Sequence, residues 1–315
     1  MAKLLLTGDV NLMNVTDPAV PFARVRDEFR AADMVFSNLE CCLYTPPGGH
    51  SFHNEGFFAD PAVGVAALRD AAVGAVGIAN NVNYGEAAIL ASIACLDAAG
   101  IPHTGAGADL TAAKAPVVVA RGGVRFGFIQ RSSVYWPTNH EAGPRDAGIA
   151  VIRGHTAYQV PMHKVRPEIP PMNRPGIPPV IVTWADRAYL RAFSEDIAAL
   201  RGQADIVIGH GPHYSLAVEV YRGKPIFYGL GSFSFHTGHG GRAHGDWIGM
   251  RARAEVSRDG LVSAGFQFAR HNAANETVLC RLADEQAELA DIVRRSADYG
   301  TRLIATGDTV NVELS

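Results

Sequence analysis

Short apolar, β-rich runs alternate with amphipathic helical patterns through the first two-thirds of the chain, and this alternation constrains the fold more than any other feature. At least five of the predicted strands end in polar groups that can bind ligands. These groups are Asp9, Glu40, Asn80 with Asn81, Asp186 and His210. Strand ends in an α/β sheet form the crevice where ligands bind. The sequence therefore predicts an α/β fold with one shared site.

Helix and turn signals support the α/β class. Asp60 is placed as the N-cap of a helix with Pro61 at its first position, and Gly100 closes the next helix. The sequence PVVVARGGVRFGFIQ predicts a β-hairpin that turns at its two glycines. Past Trp247 the pattern changes to a second hairpin and then a helix. We therefore expect β-hairpin and helix additions at the C-terminal end.

The domain organisation predicted from the sequence is a single domain over residues 1–315, because no linker or internal repeat interrupts it. Residues 131–177 show little periodicity, and nine of the 18 prolines lie between Pro137 and Pro179. A segment of this length and composition is typical of an insertion or a lid. Residues 280–315 are expected to form a C-terminal helix and tail packed on the core.

Charge and composition argue against several classes of protein. The net charge is −3, the isoelectric point is about 6.5 and there is no long basic run, so we expect no nucleic-acid binding. The N-terminal apolar run is too short for a signal peptide, and no stretch approaches the roughly 20 apolar residues of a membrane span. The four cysteines lack a CxxC spacing and are expected to be reduced. These features predict a cytoplasmic protein without membrane association.

The sequence GHGPHY places two histidines, His210 and His213, at the predicted end of a strand. A neutral imidazole is a common metal ligand, although an HxxH pair alone also fits a turn or a cap. Carboxylates and amides at the other strand ends strengthen the metal hypothesis, because such a mixed set suits Zn, Mn, Fe or Mg. No cysteine belongs to the set, which argues against a structural zinc site.

The motifs GD, NLE, ANN, a strand with Trp, GHGPH and KPIFYGLGSF follow one another in this order. In this respect the chain resembles the CapA family of capsule and poly-γ-glutamate biosynthesis proteins, which is similar to calcineurin-like metallophosphoesterases. The resemblance covers most of residues 3–256. It implies a four-layer αββα sandwich, metallophosphoesterase-like, with a metal site at the strand ends. The metal ligands that it implies are Asp9, Asn11, Glu40, Asn81, His210 and His213.

Two positions depart from the family pattern. Val82 stands where the family usually has a histidine that acts near the leaving group, and Thr183 replaces an expected metal ligand. Three interpretations follow: the site holds one metal, Asp186 substitutes for the lost ligand, or the residues contact substrate without a metal. We favour one divalent ion, with Zn, Mn or Fe as the candidates.

Further candidates come from loops beside these motifs. His53 and His244 could protonate a leaving group in place of the absent histidine, and Asp186 joins them as a catalytic candidate. Loop histidines are also common as solvated surface groups. The residues assigned to substrate binding are Arg131, Asn80, Tyr84 and Trp184.

The function predicted from the sequence is a metal-dependent hydrolase of a small metabolite that cleaves an amide or cyclic amide C–N bond. A single Lewis-acidic ion suffices for attack on a carbonyl, whereas in-line phosphoryl displacement is suited to two ions. The alternatives are a phosphoesterase of the calcineurin-like type and a non-catalytic binding or capsule-polymer accessory protein. A small-molecule substrate is the expected partner, and a homo-oligomer is compatible with the sequence.

Overall fold

The structure is a computed structural model that describes residues 1–49, 57–82, 85–135, 140–159, 180–201, 204–235 and 247–314. Helices and strands follow one another in mixed order, which confirms the α/β class. The helices are α1 (Arg26–Arg30), α2 (Pro61–Asp70), α3 (Glu86–Ala99), α4 (Leu110–Lys114), α5 (Arg187–Arg201) and α6 (Gln286–Ala297).

The strands of the first half of the chain are mostly short. They are β1 (Ala2–Asn11), β2 (Met34–Leu39), β3 (Cys42–Leu43), β4 (Phe58–Ala59), β5 (Ala75–Gly77), β6 (His103–Thr104), β7 (Ala106–Gly107), β8 (Val117–Arg121), β9 (Val124–Phe128), β10 (Gly148–Ile149) and β11 (Gly154–Gln159). Those of the second half are β12 (Val180–Ala185), β13 (Val207–Ile208), β14 (Val218–Tyr221), β15 (Lys224–Phe227), β16 (Ser232–Phe235), β17 (Gly249–Ser257), β18 (Gly260–His271), β19 (Thr277–Leu279), β20 (Leu303–Thr306) and β21 (Thr309–Val312).

A ten-stranded sheet is built around β1, in the order β20-β21-β18-β17-β1-β2-β5-β6. In addition, β16 pairs with β1 and β19 pairs with β18. Strand β1 runs parallel to β2 and β16 and antiparallel to β17. Because β1 and β2 are parallel, their carboxyl ends lie at the same edge, and this brings Asp9 and Glu40 together.

The two faces of the large sheet are covered differently. Leu5 points to a cluster that includes Phe29 of α1 and Leu68 of α2. Leu6 points to the opposite face, where the cluster includes Phe126 of β9 and Phe227 of β15. Alternate residues of β1 thus face α1 and α2 on one side and β9 and β15 on the other, as the two-residue period of a strand requires.

Several smaller sheets accompany the large one. Strands β13, β15 and β14 form a three-stranded sheet in that order, and β8 pairs with β9. The β8–β9 turn lies at Gly122 and Gly123, whose φ angles are 55° and 75°, which confirms the predicted hairpin. Strands β11 and β12 pair with each other and, within the described residues, with no other strand.

The predicted helix ends are also observed. The Asp60 carboxylate accepts hydrogen bonds from the backbone N–H groups of Ala62 and Val63, at 2.9 and 3.0 Å. Gly100 closes α3 in the left-handed conformation, with a φ of 67°. These are the positions at which the sequence predicted the cap and the stop.

The C-terminal segment packs on the core through α6 and the hairpin β20–β21. Ile292 of α6 is fully buried, and the Ser296 hydroxyl accepts a 3.0 Å hydrogen bond from the Val218 N–H. Strand β21 pairs with β18 and so extends the large sheet. Of the Pro-rich segment, the described residues include β10, which pairs with β7. Among the described residues, no helix combines the length and apolar character needed to cross a membrane.

Candidate metal centre

Asp9 lies near the end of β1 and is completely buried. The register of β1 shifts at Asp9 against both β2 and β16, and such an irregularity redirects the side chain. The packing here is very close, since a Cβ placed on Gly8 would lie 1.9 Å from the Gly231 carbonyl oxygen. The Asn38 side-chain amide donates a 2.7 Å hydrogen bond to Asp9 Oδ1 and fixes the carboxylate.

Glu40 follows β2 and is 3% exposed. Its backbone N–H donates a 2.8 Å hydrogen bond to the Val10 carbonyl, which holds the residue beside the end of β1. Burial, and then the negative charge of Asp9, raise the pKa of Glu40 well above its usual value. Two buried carboxylates side by side favour a cation between them, because a cation relieves both effects.

His210 and His213 lie in the loop that joins β13 to β14. His210 Nδ1 is 3.2 Å from Asp9 Oδ1. His213 Nδ1 is 3.4 Å from Asp9 Oδ2, and its Nε2 is 3.7 Å from Glu40 Oε1. The loop turns sharply, with φ angles of 107° at Gly211 and 63° at His213. The turn therefore directs both rings at the carboxylates.

Asp9, Glu40 and His213 each offer one ligand atom, and these atoms all lie within 4.8 Å of one another. Several buried atoms around them make no hydrogen bond within the described residues: Asp9 Oδ2, Glu40 Oε2 and both ring nitrogens of His210. Buried polar atoms are normally satisfied, and buried charges are normally paired or bound to metals. The residues therefore fit a divalent cation with mixed oxygen and nitrogen ligands.

The pKa of Asp9 moves in the opposite direction to that of Glu40. Burial alone would raise the pKa of Asp9, but contacts with His210, His213 and Asn38 outweigh it and hold the pKa below its usual range. A carboxylate that stays ionised at neutral pH, next to imidazoles, is a good metal ligand.

A chain of amide side chains supports the carboxylates. Asn80 donates hydrogen bonds of 3.0 Å to Asn38 Oδ1 and 2.7 Å to the Leu39 carbonyl. Gln130 Nε2 donates a 2.7 Å hydrogen bond to the same oxygen of Asn38, and Gln130 Oε1 accepts one from the Ala79 N–H. Asn80, predicted to bind substrate, is thus buried in this network. Sequence reasoning missed Gln130, although it is one more polar group just after a strand.

The two predicted amide ligands are placed differently. Asn11 is completely buried, and its Oδ1 accepts a 2.8 Å hydrogen bond from the Met13 N–H. Its Nδ2 makes no hydrogen bond within the described residues. Asn81 is half-buried and borders a groove beside His210.

Two aromatic rings that the sequence patterns did not identify support His213. The His213 ring packs edge-on against Phe235, with centroids 5.5 Å apart, and lies 5.0 Å from the ring of Trp247. The His213 Nδ1 atom and the Ser232 hydroxyl are 3.3 Å apart and share a hydrogen bond. Ser232 and the two rings therefore fix the orientation of His213.

The Asp186 carboxylate makes its hydrogen bonds outside the cluster of Asp9 and Glu40. Its Oδ1 accepts a 2.8 Å hydrogen bond from the Ala188 N–H at the start of α5, and its Oδ2 is 3.0 Å from His155 Nε2. These contacts lower the pKa of Asp186, with the His155 hydrogen bond as the main cause. Trp184, on the same hairpin, is 50% exposed.

Arg131, predicted to bind substrate, has a guanidinium that pairs with another side chain of the protein. Its Nη2 lies 2.5 Å from Asp196 Oδ2, and its side chain is 2% exposed. The guanidinium also lies over the Phe193 ring. The candidates His53, Tyr84 and His244 lie outside the described residues. Val82 is buried.

The chain is similar in sequence to several known bacterial proteins. The family model described as "Bacterial capsule synthesis protein PGA_cap" matches residues 3–237, a range that contains all six predicted metal ligands. A probable polyglutamine synthesis accessory protein of Mycobacterium tuberculosis is 32% identical over 164 residues, which cover 49% of this chain and 43% of that protein. The chain thus spans less than half the length of these relatives.

A shorter match and a solved structure were also found. The PGA biosynthesis protein CapA of Bacillus subtilis is 54% identical over 35 residues, or 11% of this chain and 9% of that protein. The crystal structure of a hypothetical protein from Thermus thermophilus is 14% identical, with a TM-score of 0.46 over 86% of this chain and 100% of that chain. Since the family model spans well over half of the sequence, the chain belongs to the PGA_cap family of bacterial capsule synthesis proteins.

Proposed function

We propose that the protein is a hydrolase that uses one divalent ion, held by Asp9, Glu40 and His213, to cleave an amide or cyclic amide C–N bond of a small molecule. The observation that carries the proposal is the set of buried polar atoms without hydrogen bonds around three converging ligand atoms. Keeping such atoms in a core is costly unless they bind something. His210 and Asn81 are proposed to assist, and a four-layer αββα sandwich is part of the same proposal.

A bound divalent ion would supply Lewis acidity and lower the pKa of a water molecule. The chain supplies the position and the electrostatics. Asn38 orients the Asp9 carboxylate, and Ser232 orients His213 with its Nε2 towards Glu40. Val82 cannot move a proton, so the proton for the leaving group would come from His53 or His244.

An amide substrate is favoured because the ligand set is small. The three ligand atoms of Asp9, Glu40 and His213 suit one ion with an open position. At Thr183 and Val82 the chain lacks the two histidines expected for a two-ion phosphoesterase. One ion is sufficient to polarise a carbonyl group.

A role as an accessory protein in polyglutamate synthesis is the second candidate. The relative in Mycobacterium tuberculosis is named a probable polyglutamine synthesis accessory protein, and the relative in Bacillus subtilis is named a PGA biosynthesis protein. The two proposals share the type of bond, because a polyglutamate is linked by amide bonds. They differ in substrate: the accessory role requires a polymer, and the first proposal requires a small amide.

The metal site is tested by measuring the metal content of untagged protein by inductively coupled plasma mass spectrometry, after reconstitution with Zn, Mn or Fe. We expect about one equivalent in the wild type, and at least about tenfold weaker binding in His213→Ala. His155→Ala is the matched control, because this histidine lies on the exposed β11 and should not alter metal content. Absence of bound metal after reconstitution of folded wild type contradicts the proposal.

The bond type is tested with the reconstituted protein on γ-glutamyl amides, cyclic amides, polyglutamate and phosphate esters. Turnover of amides that is lost in His213→Ala supports the proposal. If the protein turns over phosphate esters alone and binds two equivalents of metal, the amide hydrolase is rejected in favour of a phosphoesterase. Replacing His53 or His244 by alanine tests the proton donor, and full turnover in both variants rejects that assignment.

A further inference from the structure

Gln130 connects two strand ends of the candidate metal centre. It comes two residues after β9 and lies beside Gly77 of β5, which pairs directly with Asn38 of β2. Its Oε1 accepts a hydrogen bond from the Ala79 N–H, and its Nε2 donates one to Asn38 Oδ1, both at 2.7 Å. One side-chain amide therefore contacts both the chain that follows β5 and the residue that holds Asp9.

Two glycines leave the space that the Gln130 amide occupies. A Cβ on Gly77 would lie 2.5 Å from Gln130 Oε1, and the three atoms nearest to it would all belong to the Gln130 side chain. A Cβ on Gly105 would lie 2.9 Å from the same oxygen. Such distances are too short for real side chains, so the backbone approaches the amide as closely as only glycine allows. The position of the amide is thus fixed by packing as well as by hydrogen bonds.

The direction of each hydrogen bond follows from two backbone groups. A backbone N–H can only donate, so the Ala79 N–H fixes Gln130 with Oε1 towards itself and Nε2 towards Asn38. A backbone carbonyl can only accept, so the Leu39 carbonyl fixes the Nδ2 of Asn80, which also donates to Asn38 Oδ1. Both routes therefore bring a donor to the same oxygen of Asn38.

Asn38 is left with one way to place its amide. Because its Oδ1 accepts from two donors, its Nδ2 faces Asp9 and donates to Asp9 Oδ1 at 2.7 Å. If the amide turned round, Nδ2 would face two donors and Oδ1 would face a carboxylate, and no hydrogen bond would form in this buried place. The other oxygen, Asp9 Oδ2, makes no hydrogen bond within the described residues and is the one left for a ligand.

We propose that Gln130 is a positioning residue, which fixes the direction of the Asn38 amide and so presents Asp9 Oδ2 at the metal centre. In this role Gln130 acts through Asn38 and is not itself a ligand. The effect on metal binding rests on the proposed function, whereas the direction of the amide does not, and the two are measured separately.

The first test replaces Gln130 by methionine, which fills a similar space but cannot donate to Asn38. Exchange of the Asn38 side-chain amide protons with water is measured by NMR in EDTA on protein labelled with ¹⁵N-asparagine, and the signal is assigned by its absence in Asn38→Ala. We expect exchange to be at least about tenfold faster in Gln130→Met than in the wild type, because the amide loses a hydrogen bond that holds it. Unchanged exchange overturns the proposal.

Gln267 offers a matched control on the same sheet. Its Oε1 accepts a 3.2 Å hydrogen bond from Arg251 Nη2, and its Nε2 donates a 3.1 Å one to the Cys280 carbonyl. Gln267→Met thus removes the same kinds of hydrogen bond from β18, two strands away from β1. It should leave the exchange of the Asn38 amide unchanged. If it speeds this exchange as much as Gln130→Met does, the effect is general destabilisation and the proposal is overturned.

The second test measures the affinity of the same proteins for Zn²⁺, Mn²⁺ or Fe²⁺ by calorimetric titration. We expect about tenfold weaker binding in Gln130→Met and no change in Gln267→Met. If the wild type binds an ion and Gln130→Met binds it equally well, Gln130 has no positioning role. If the wild type binds none of these ions, the proposed metal site is rejected, and the exchange rates still show whether Gln130 fixes the Asn38 amide.

Gly77→Ala displaces the Gln130 amide while every polar group is kept. It should weaken metal binding as Gln130→Met does, because the added methyl group occupies the place of Gln130 Oε1. In a Gln130→Ala background the same substitution should have no further effect, since no amide remains to be displaced. Effects of Gly77→Ala and Gln130→Ala that simply add would mean that the two residues act independently, and this would overturn the proposal.

Discussion

At the scale of single residues, the buried Glu40 combines a stability cost with the proposed metal-binding role. Its Oε2 makes no hydrogen bond within the described residues, and its pKa is raised by burial and then by the charge of Asp9. A paired carboxylate shows the contrast: Arg270 Nε lies 2.6 Å from Glu285 Oε1 and lowers the pKa of Glu285. Removing the charge of each glutamate should therefore change the free energy of unfolding in opposite directions.

The first prediction compares Glu40→Gln with Glu285→Gln. In EDTA at pH 7, Glu40→Gln should raise the free energy of unfolding by about 1 kcal/mol or more, because a poorly solvated charge disappears. Glu285→Gln should lower it, because Arg270 loses its partner. Added metal should stabilise the wild type and leave Glu40→Gln nearly unchanged. Urea unfolding with and without metal measures both effects, and destabilisation of Glu40→Gln in EDTA would contradict the cost assigned to Glu40.

The second prediction concerns His140, which is 1% exposed. Burial lowers its pKa to about 4. A histidine in the unfolded chain has a pKa near about 6.5, so the unfolded state binds the proton first as the pH falls. This contribution to stability is complete above about pH 6.5 and is lost between about pH 6.5 and 4, up to roughly 3 kcal/mol. Between these pH values the free energy of unfolding of His140→Gln should change less steeply with pH than that of the wild type, by about one proton. An unchanged slope would refute the assignment of this pH dependence to His140.

At the scale of helices and strands, α2 begins with the cap that Asp60, followed by Pro61, predicted. The third prediction is that Asp60→Ala lowers the free energy of unfolding by about 1 kcal/mol, since the N–H groups of Ala62 and Val63 lose their acceptor. Asp60→Asn keeps an acceptor and should be nearly neutral. Denaturant unfolding measures both, and an equal loss in the two variants would mean that charge, rather than the cap, matters.

Sequence patterns predicted such local features because each depends on neighbouring residues. The cap at Asp60, the stop at Gly100 and the hairpin at Gly122 follow from backbone preferences within a few residues. The strand-end rule also predicted that Asp9 and His210 would meet, and they lie 3.2 Å apart. That contact follows from parallel strands ending at a common edge, which is a property of the α/β class.

The same rule was less informative where long-range packing decides the outcome. Asp186 ends a strand as predicted, but β12 pairs with β11, so its carboxylate caps α5 instead of joining the cluster. Trp247 and Phe235 support His213 from residues far along the chain, and no local pattern identifies them. Gln130 belonged to the predicted class of strand-end polar groups and was overlooked among several of them.

At the scale of the whole molecule, the packing of the small sheet on the large one positions the histidines against the carboxylates. Phe266 of β18 is fully buried and packs edge-on against Phe227 of β15, with centroids 6.5 Å apart. Phe227 directly pairs with Ile208 of β13, two residues before His210. The contact between the two rings therefore lies on the path from the large sheet to the histidine loop.

The fourth prediction is that Phe266→Ala lowers the free energy of unfolding by about 3–5 kcal/mol, whereas Phe266→Leu costs about 1.5 kcal/mol or less. Phe266→Ala should also weaken metal binding, because a cavity between the sheets loosens the histidine loop relative to Asp9. Denaturant unfolding and metal titration by calorimetry measure the two effects. If Phe266→Ala is destabilised but keeps full metal affinity, the geometry of the site does not depend on the packing between the two sheets.

The division of the site between two sheets has a consequence for how the protein can change over time. Asp9 lies in β1 and Glu40 directly follows β2, both strands of the large sheet, and His210 and His213 lie in a loop of the three-stranded sheet. If the cluster binds the proposed ion, neither half retains a complete set of ligands when the other shifts. Substitutions in the interior are then restricted by the geometry of the site as well as by stability. In relatives that no longer bind an ion, only stability would restrict substitutions in the interior. Their sequences would then be expected to diverge first where the two sheets meet.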